Sequence, residues 1–370
     1  CISWSEPCSS LYDLRIPCPI PDPAHGTDRS VSGQESRVFV DWRGIRVKGN
    51  EFETGLARRL IDLQNADGGW AASEQGVSAT EPTSWALRAL ESIVRDPAFE
   101  VSAIEARERA VSWLAHRQLQ NGAWPGSERV PEPGASTGVA ALALAACPEP
   151  ALLDRAVAAG NWLLQHPGKR VSWRTRLWLR LNPDRNPLEM EMRLRGWPWM
   201  DGMWGWVEPT SIALIAFRSL GDRLPKSSVT EAIEDGESML LDRTCPDGGW
   251  NHGLGRSHDE DLWPYPDTTA FALLALGPDR PDEAVAEGIA ALHRMLESPV
   301  SRLTTALGIL AFDRFGQDAE HLRRRLIEEW ADPFPPPTTR TLALSLMAAR
   351  GDRIGTAGGT VSARERGVGG

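Results

Sequence analysis

Residues 109–124 read Arg109-Ala110-Val111-Ser112-Trp113-Leu114-Ala115-His116-Arg117-Gln118-Leu119-Gln120-Asn121-Gly122-Ala123-Trp124. Two other stretches repeat the end of this pattern: Gln64 to Trp70 contains Asp-Gly-Gly-Trp, and so does Thr244 to Trp250. Each copy ends an amphipathic segment and precedes a loop and a second, apolar segment. Gly in such a turn ends a helix, so the chain is built from repeated pairs of helices.

The second segment of each pair is apolar on almost every face. These segments begin at Thr83, Thr137, Thr210 and Thr269 and continue as runs of Ala and Leu. A helix that is apolar all round lies inside a protein, whereas the first segments keep a polar face and belong outside. The sequence therefore predicts alternating outer and inner helices.

Six such pairs fit between residues 49 and 350, and they predict an all-α fold, an α6/α6 barrel of six helical hairpins. The predicted outer helices lie near 52–65, 105–120, 151–165, 228–243, 282–296 and 319–331. The predicted inner helices lie near 83–95, 137–146, 210–220, 269–277, 302–314 and 338–349. A straight solenoid is the alternative. We predict one barrel at 49–350 with an insertion at 167–207, an extended arm at 1–48 and a Gly-rich tail at 351–370.

Composition excludes several classes of protein. The chain has 370 residues, a net charge of −10 and 41% hydrophobic residues. No apolar run is long enough to span a bilayer, although peripheral membrane contact stays open. The acidic balance excludes a general nucleic-acid binder. The five cysteines are not grouped, so they form neither a disulfide framework nor a CxxC metal site. We expect no metal, no cofactor and a cytoplasmic location.

The repeated turn resembles the QW motif of squalene–hopene cyclases and their relatives, which include the β subunits of protein prenyltransferases. The copy at 109–124 matches the motif in full, and the other two copies match it in part, with Thr244 in place of Gln. A third repeat keeps Trp162-Leu163 but has Pro167 where Gln would stand. The resemblance implies the same barrel and a structural role for the motif residues Gln64, Trp70, Gln118, Trp124 and Trp250.

Three acids precede or begin inner helices at equivalent positions. Glu81, Glu208 and Asp267 each stand two residues before the aligned Thr. This alignment predicts that the three carboxylates face one mouth of the barrel. The alternative is that each acid only stabilises the positive end of its helix dipole, by about 0.3–1 kcal/mol.

The segment from Tyr265 to Ala270 is similar to the Asp-x-Asp-Asp-Thr-Ala segment of class II terpene cyclases. Asp267 matches the middle Asp, which the resemblance makes a proton donor, while Tyr265 and Thr268 replace the flanking acids. Compared with prenyltransferase β subunits, Asp267 matches a zinc-binding Asp. Thr269 takes the place of the zinc-binding Cys, which argues against a metal site.

The insertion at 167–207 holds six of the 16 Trp residues and an excess of Arg. Indole faces bind flat apolar groups and cations, and Arg binds diphosphate or carboxylate. We therefore predict that the insertion binds an isoprenoid or other apolar small molecule. The candidate residues are Trp197, Trp199, Trp204, Trp206, Arg193 and Arg195. The alternative is a lid in which the Trp residues only pack.

These observations favour a terpenoid cyclase-like enzyme, an isomerase in which Asp267 donates the proton, assisted by Tyr265, Glu208 or Glu81. Class II cyclases of the resembling family use two helical domains, however, and this chain has room for one. The alternatives are a non-catalytic isoprenoid- or protein-binding barrel, a prenyltransferase-like subunit without zinc, and a glycan-processing α6/α6 enzyme. The sequence leaves open whether the protein is an enzyme and whether it has a partner subunit.

Overall fold

The computed structural model describes residues 49–94, 101–182, 190–280, 282–331, 336–352 and 354. The arm expected at 1–48 lies outside the described residues, as does all but three residues of the tail expected at 351–370.

Twelve of the α-helices described form two concentric sets. The outer helices are α1 (Gly49–Asp62), α3 (Val101–Arg117), α5 (Pro150–Gln165), α8 (Lys226–Asp242), α10 (Glu283–Leu296) and α12 (Glu320–Glu329). The inner helices are α2 (Thr80–Ile93), α4 (Ser136–Ala145), α7 (Val207–Leu220), α9 (Pro266–Leu276), α11 (Arg302–Arg314) and α13 (Thr339–Arg350). One further helix, α6 (Trp173–Leu181), lies in the insertion, and a 3-10 turn follows α7 at Gly221–Arg223.

The inner helices close into a ring. Each packs against the next in chain order, and α13 packs back against α2. The outer helices α3, α5, α8, α10 and α12 each pack on the inner helix that precedes them, and α1 packs on α13. The α6/α6 barrel is confirmed, because an open superhelix would not bring the last inner helix against the first.

Burial follows the apolar pattern of the sequence. In α9 every residue from Thr268 to Leu276 is buried, as expected of a helix surrounded by neighbours. In α3 only Ala103, Ala106, Ala110, Trp113 and Leu114 are buried, a single stripe at helical spacing. The difference between inner and outer helices is thus a difference in how many faces are apolar.

Three inner helices begin three residues earlier than the sequence predicts. The helices α2, α7 and α9 start at Thr80, Val207 and Pro266. Pro82 and Pro209 fit inside the first turn, where a backbone N–H has no helical partner to lose. The three acids therefore lie within the first turn rather than before it.

Two small hairpins also belong to the fold. Strand β1 (Pro125–Ser127) pairs with β2 (Val130–Pro133), and β3 (Arg256–Ser257) pairs with β4 (Glu260–Asp261), both antiparallel. Each hairpin lies in the loop between an outer and an inner helix, on the side of the barrel where the inner helices begin.

Candidate functional site

The repeated Trp residues hold outer and inner helices together. The backbone N–H of Trp124 donates to Oγ1 of Thr137 at 3.1 Å, and its indole N–H donates to the carbonyl of Leu114 at 2.9 Å. The same two bonds occur at Trp70, to Thr83 and Leu60, and at Trp250, to Thr269 and Leu240. Each ring is fully buried. Each Trp therefore joins the end of the outer helix, through its indole, to the start of the inner helix, through its backbone N–H.

Trp197 is the equivalent residue of the third repeat. Its backbone N–H donates to Oγ1 of Thr210 at 2.9 Å, and its indole N–H donates to the carbonyl of Leu163 at 2.9 Å. The ring packs edge-on against Phe217 and is buried. Sequence reasoning placed Trp197 among ligand-binding residues, because the insertion moves it 34 residues from Leu163, where the other copies have 10. The structure makes it a core residue.

The motif Gln residues join three segments of chain. The side-chain amide of Gln118 donates to the carbonyls of Gly122 and Arg155, at 2.9 and 3.0 Å. Gln64 makes the same pair of bonds to Gly68 and Ala106. Each Gln thus ties its own turn to the following outer helix, as a structural role for the motif requires.

The acids at the starts of the inner helices do meet at one mouth, around a cation that the sequence did not single out. Arg340 is the second residue of α13, as Glu81, Glu208 and Asp267 are in α2, α7 and α9. Its guanidinium contacts the carboxylates of Glu81 at 3.1 Å and Glu208 at 2.6 Å. Extending the alignment of helix starts to the sixth inner helix would have found it.

The electrostatics of the mouth are dominated by burial and mutual charge. Burial raises the pKa of Glu208, and the negative charges of Glu81 and Asp267 raise it further. The positive charge of Arg340 opposes them and lowers it. Burial by itself would lower the pKa of Arg340, but the three carboxylates raise it above its ordinary value. Asp267 is half-buried, and its Oδ1 accepts the backbone N–H of Thr268 at 2.9 Å.

Arg340 crosses the mouth, because α13 and α7 stand on opposite sides of the six-helix ring. Its guanidinium also lies 5.1 Å from the ring centre of Phe271, a cation–π contact. Phe271 lies 6.3 Å from the ring of Trp85, and both rings are buried. The ion pair and these two rings lie between opposite helices of the ring, since α2 and α9 also stand across from each other.

A groove of about 920 Å³ lies beside the mouth, between the insertion and the loop that joins α8 to α9. Its apolar lining includes Leu179, Met190, Met192, Met239, Leu254, Leu262, Trp204, Trp206, Trp263 and Tyr265. Three cations, Lys169, Arg170 and Arg243, also line it. Trp206 and Tyr265 directly precede α7 and α9, so the groove begins where two of the mouth helices start.

The predicted ligand-binding residues divide between the groove and other places. Trp204 and Trp206 line the groove, as does Tyr265, which sequence reasoning assigned to the catalytic group. Trp199 is half-exposed outside it, and its carbonyl accepts the backbone N–H of Ala135. Arg193 and Arg195 also lie outside the lining.

Both of these arginines have carboxylate partners on the protein itself. Arg195 pairs with Asp235 at 3.2 Å, and Arg193 lies 3.7 Å from Glu191. The groove residues outside the insertion that the sequence did not single out are Met239, Arg243 and the loop residues 251–254 and 262–263. Only the fold brings these residues to the insertion.

The described part of the chain holds no cluster of metal ligands and no membrane-spanning helix. In that part of the chain, no three His, Cys, Asp or Glu side chains come together in a way that could hold a metal ion. No helix there combines the length and the apolarity needed to cross a bilayer.

No protein-family model and no curated protein sequence matches this chain. Solved structures do resemble it. The type II terpene cyclase MstE from Scytonema superposes with a TM-score of 0.50 at 15% identity, over 82% of this chain and 98% of that one. Its complex with geranylgeranyl dihydroxybenzoate gives a TM-score of 0.51 at 14% identity, over 81% and 96%. An α-1,6-mannanase of Salegentibacter sp. HEL1_6 gives 0.55 at 10% identity, over 82% and 98%.

At these identities the resemblance establishes the fold alone. The chain is an α/α toroid, an architecture that these solved structures show in a terpene cyclase and in a glycan-cleaving enzyme. Fold does not decide between such chemistries, so the function has to be argued from the site.

Proposed function

We propose that the protein binds an elongated apolar molecule of the isoprenoid class in the groove beside the barrel mouth. The observation that carries this proposal is the lining, in which aromatic, Met and Leu side chains surround a volume of about 920 Å³. Ligand sites typically have volumes of about 300–1,000 Å³ and are mostly apolar. Exposed indole and phenol rings offer flat surfaces to a polyene chain.

The groove is unlike the site of a glycoside hydrolase. Such enzymes use two carboxyl groups on either side of the scissile bond. Among the described residues that line the groove there is no Asp or Glu. The glycan-processing alternative therefore has less support than an apolar ligand.

The test compares two indoles of equal exposure. Trp206 and Trp199 are both 41% exposed, but only Trp206 lines the groove. Covering an aromatic side chain with ligand contributes about 1.5–3 kcal/mol, so Trp206→Ala should raise the Kd for farnesol or geranylgeraniol roughly 10- to 100-fold. Trp199→Ala should leave it unchanged. Titration calorimetry measures both, and equal affinities for the two variants would overturn the proposal.

A second candidate function is proton-initiated cyclisation of an isoprenoid. The carboxylate cluster favours it, because Glu208 is buried with a raised pKa and Asp267 lies beside it. The MstE match supports this candidate on size, since this chain, with one helical barrel, aligns over 98% of that terpene cyclase chain. For this chemistry, Arg340 would have to leave the axis and admit the substrate above Phe271.

The cyclisation test uses product analysis. Wild type is incubated with linear prenyl diphosphates, squalene and their epoxides, and the extracts are analysed by mass spectrometry. Asp267→Asn and Glu208→Gln are run in parallel, with circular dichroism to show that each variant is folded. A product formed by wild type and lost in Asp267→Asn supports this function. No product from any substrate eliminates it while leaving the binding proposal intact.

We also propose that the insertion contacts an anionic membrane surface. Helix α6 buries no residue, and it exposes Trp173, Leu177, Trp178 and Leu181 beside three arginines, with no acid in the helix. Amphipathic helices of this composition lie at the lipid interface. Co-sedimentation should be strong with vesicles containing phosphatidylglycerol, weak with phosphatidylcholine alone, and lost in Trp178→Glu. Equal binding to both vesicle types would contradict the proposed contact between the arginines of α6 and anionic lipid.

A further inference from the structure

Arg243 is a buried cation with unused hydrogen-bonding groups. It follows the last residue of α8, lines the groove, and has a side chain only 7% exposed. Its Nε and Nη1 donate to no atom of the described residues. Guanidinium N–H groups that are shut off from water and left unpaired are costly, so their presence in a groove points to a missing partner.

The neighbouring carboxylates do not satisfy this guanidinium. Nη1 of Arg243 lies 3.4 Å from Oδ2 of Asp242, without hydrogen-bond geometry. Both oxygens of Asp242 instead accept the backbone N–H of Glu191, at 3.2 and 3.1 Å. Burial lowers the pKa of Arg243, and the charges of Asp242 and Glu191 only partly oppose it. The geometry leaves Arg243 able to bind a further anion.

The other two charged residues of the described lining are also positive. Lys169 and Arg170 are exposed at the groove, and Arg170 pairs with Asp235 at 3.0 Å. Within the described lining no carboxylate is present to balance them. An anion that entered the groove would therefore meet Lys169 and Arg243, which have no hydrogen-bonded carboxylate among the described residues, beside a long apolar wall.

We propose that the ligand of this groove is an amphiphile, an apolar chain that ends in a carboxylate or diphosphate, and that Arg243 binds its anionic end. This inference rests on the proposed function and adds the chemistry of the head group. Arg suits both anions, because its planar N–H groups pair with two oxygens at once. The competing account is that Arg243 only offsets the negative end of the α8 dipole.

The experiment uses three probes with one tail: farnesol, farnesoate and farnesyl diphosphate. Titration calorimetry with wild type should show at least one anionic probe binding about 30-fold or more tighter than farnesol. Arg243→Gln should bring the Kd values of the anionic probes to that of farnesol measured on the same variant, while Arg243→Lys should retain part of the preference. The matched control is Arg195→Gln, since Arg195 already has a carboxylate partner and lies outside the lining.

Each result has one consequence. Farnesol binding as tightly as both anionic probes overturns the head-group inference and leaves the apolar groove in place. Arg243→Gln that keeps the full preference overturns the role of Arg243. Binding of none of the three probes overturns the proposed function itself. If Arg243→Gln does not fold, the comparison of the three probes on wild type, repeated at 50 and 500 mM salt, still decides the head-group inference, because ionic binding weakens with salt. The two anionic probes distinguish carboxylate from diphosphate.

Discussion

Trp197→Phe separates a structural role for this residue from a ligand-binding role. The substitution keeps an aromatic ring against Phe217 but removes the indole N–H that donates to Leu163 at 2.9 Å. In this buried position the smaller ring also leaves unfilled space. The geometry therefore predicts a clear loss of stability from a change that would be mild on the surface.

The magnitude follows from two contributions. Loss of one buried hydrogen bond costs about 1 kcal/mol, and the carbonyl of Leu163 keeps a second donor, the backbone N–H of His166. The apolar contacts of the missing ring contribute about 1–2 kcal/mol more. The expected loss is about 2–3 kcal/mol, which corresponds to a fall in Tm of about 3–4 °C for a chain of this size.

The assay is urea unfolding followed by circular dichroism at 222 nm, which reports the helices and not the indoles. Trp124→Phe is the positive reference, because Trp124 makes the equivalent bonds. Trp199→Phe is the control, since Trp199 is half-exposed, and its stability should stay within about 0.5 kcal/mol of wild type. If Trp197→Phe behaved like Trp199→Phe, the equivalence of Trp197 with the repeated Trp residues would be refuted.

Three further outcomes are expected. Gly122 has φ +91°, and a Cβ there would lie 2.7 Å from the carbonyl oxygen of Ala158, so Gly122→Ala should lower the free energy of unfolding in urea by about 2–4 kcal/mol. Gly221 has φ +53° but open space around it, so Gly221→Ala should lower it by only about 1 kcal/mol. Equal losses in the two variants would contradict the steric argument. Burial raises the pKa of Glu208, so the folded state holds this proton more tightly than the unfolded chain. The free energy of unfolding should therefore fall as pH rises from the ordinary value of 4.5 through the raised pKa, and Glu208→Gln should lack this decline; parallel pH profiles of both proteins would disprove it. Burial raises the pKa of Cys245 to about 11, so iodoacetamide at pH 8 should modify this thiol only after urea is added. Peptide mass mapping measures the labelling, and rapid labelling of the folded protein would contradict the burial of Cys245.

The helical framework could be predicted because its signals are local. An inner helix is apolar on every face and an outer helix on one, and that difference is written in the order of residues along each segment. The closing Gly of each turn and the Pro of the first helical turn mark the ends. The same locality explains the alignment of Glu81, Glu208 and Asp267, since equal positions in equivalent helices reach the same mouth.

The sequence alone was insufficient where residues distant in the chain act together. Arg340 changes the meaning of the acids, because a guanidinium between Glu81 and Glu208 makes them members of an ion-pair network. Nothing near Glu208 in the chain shows that this cation, 132 residues away, reaches it. The position of Arg340 in its own helix was readable, but the contact across the ring was not.

The Trp residues show where sequence information ends. The amino-acid order by itself determined that pairs of helices repeat, and that Trp70, Trp124 and Trp250 occupy equivalent turns. Only the folded chain decided that Trp197 belongs with them in the core while Trp206, nine residues later, lines a groove. The physical reason is that an indole has the same affinity for apolar contact in either place. Its role depends on which carbonyl or open space the packed helices bring to it.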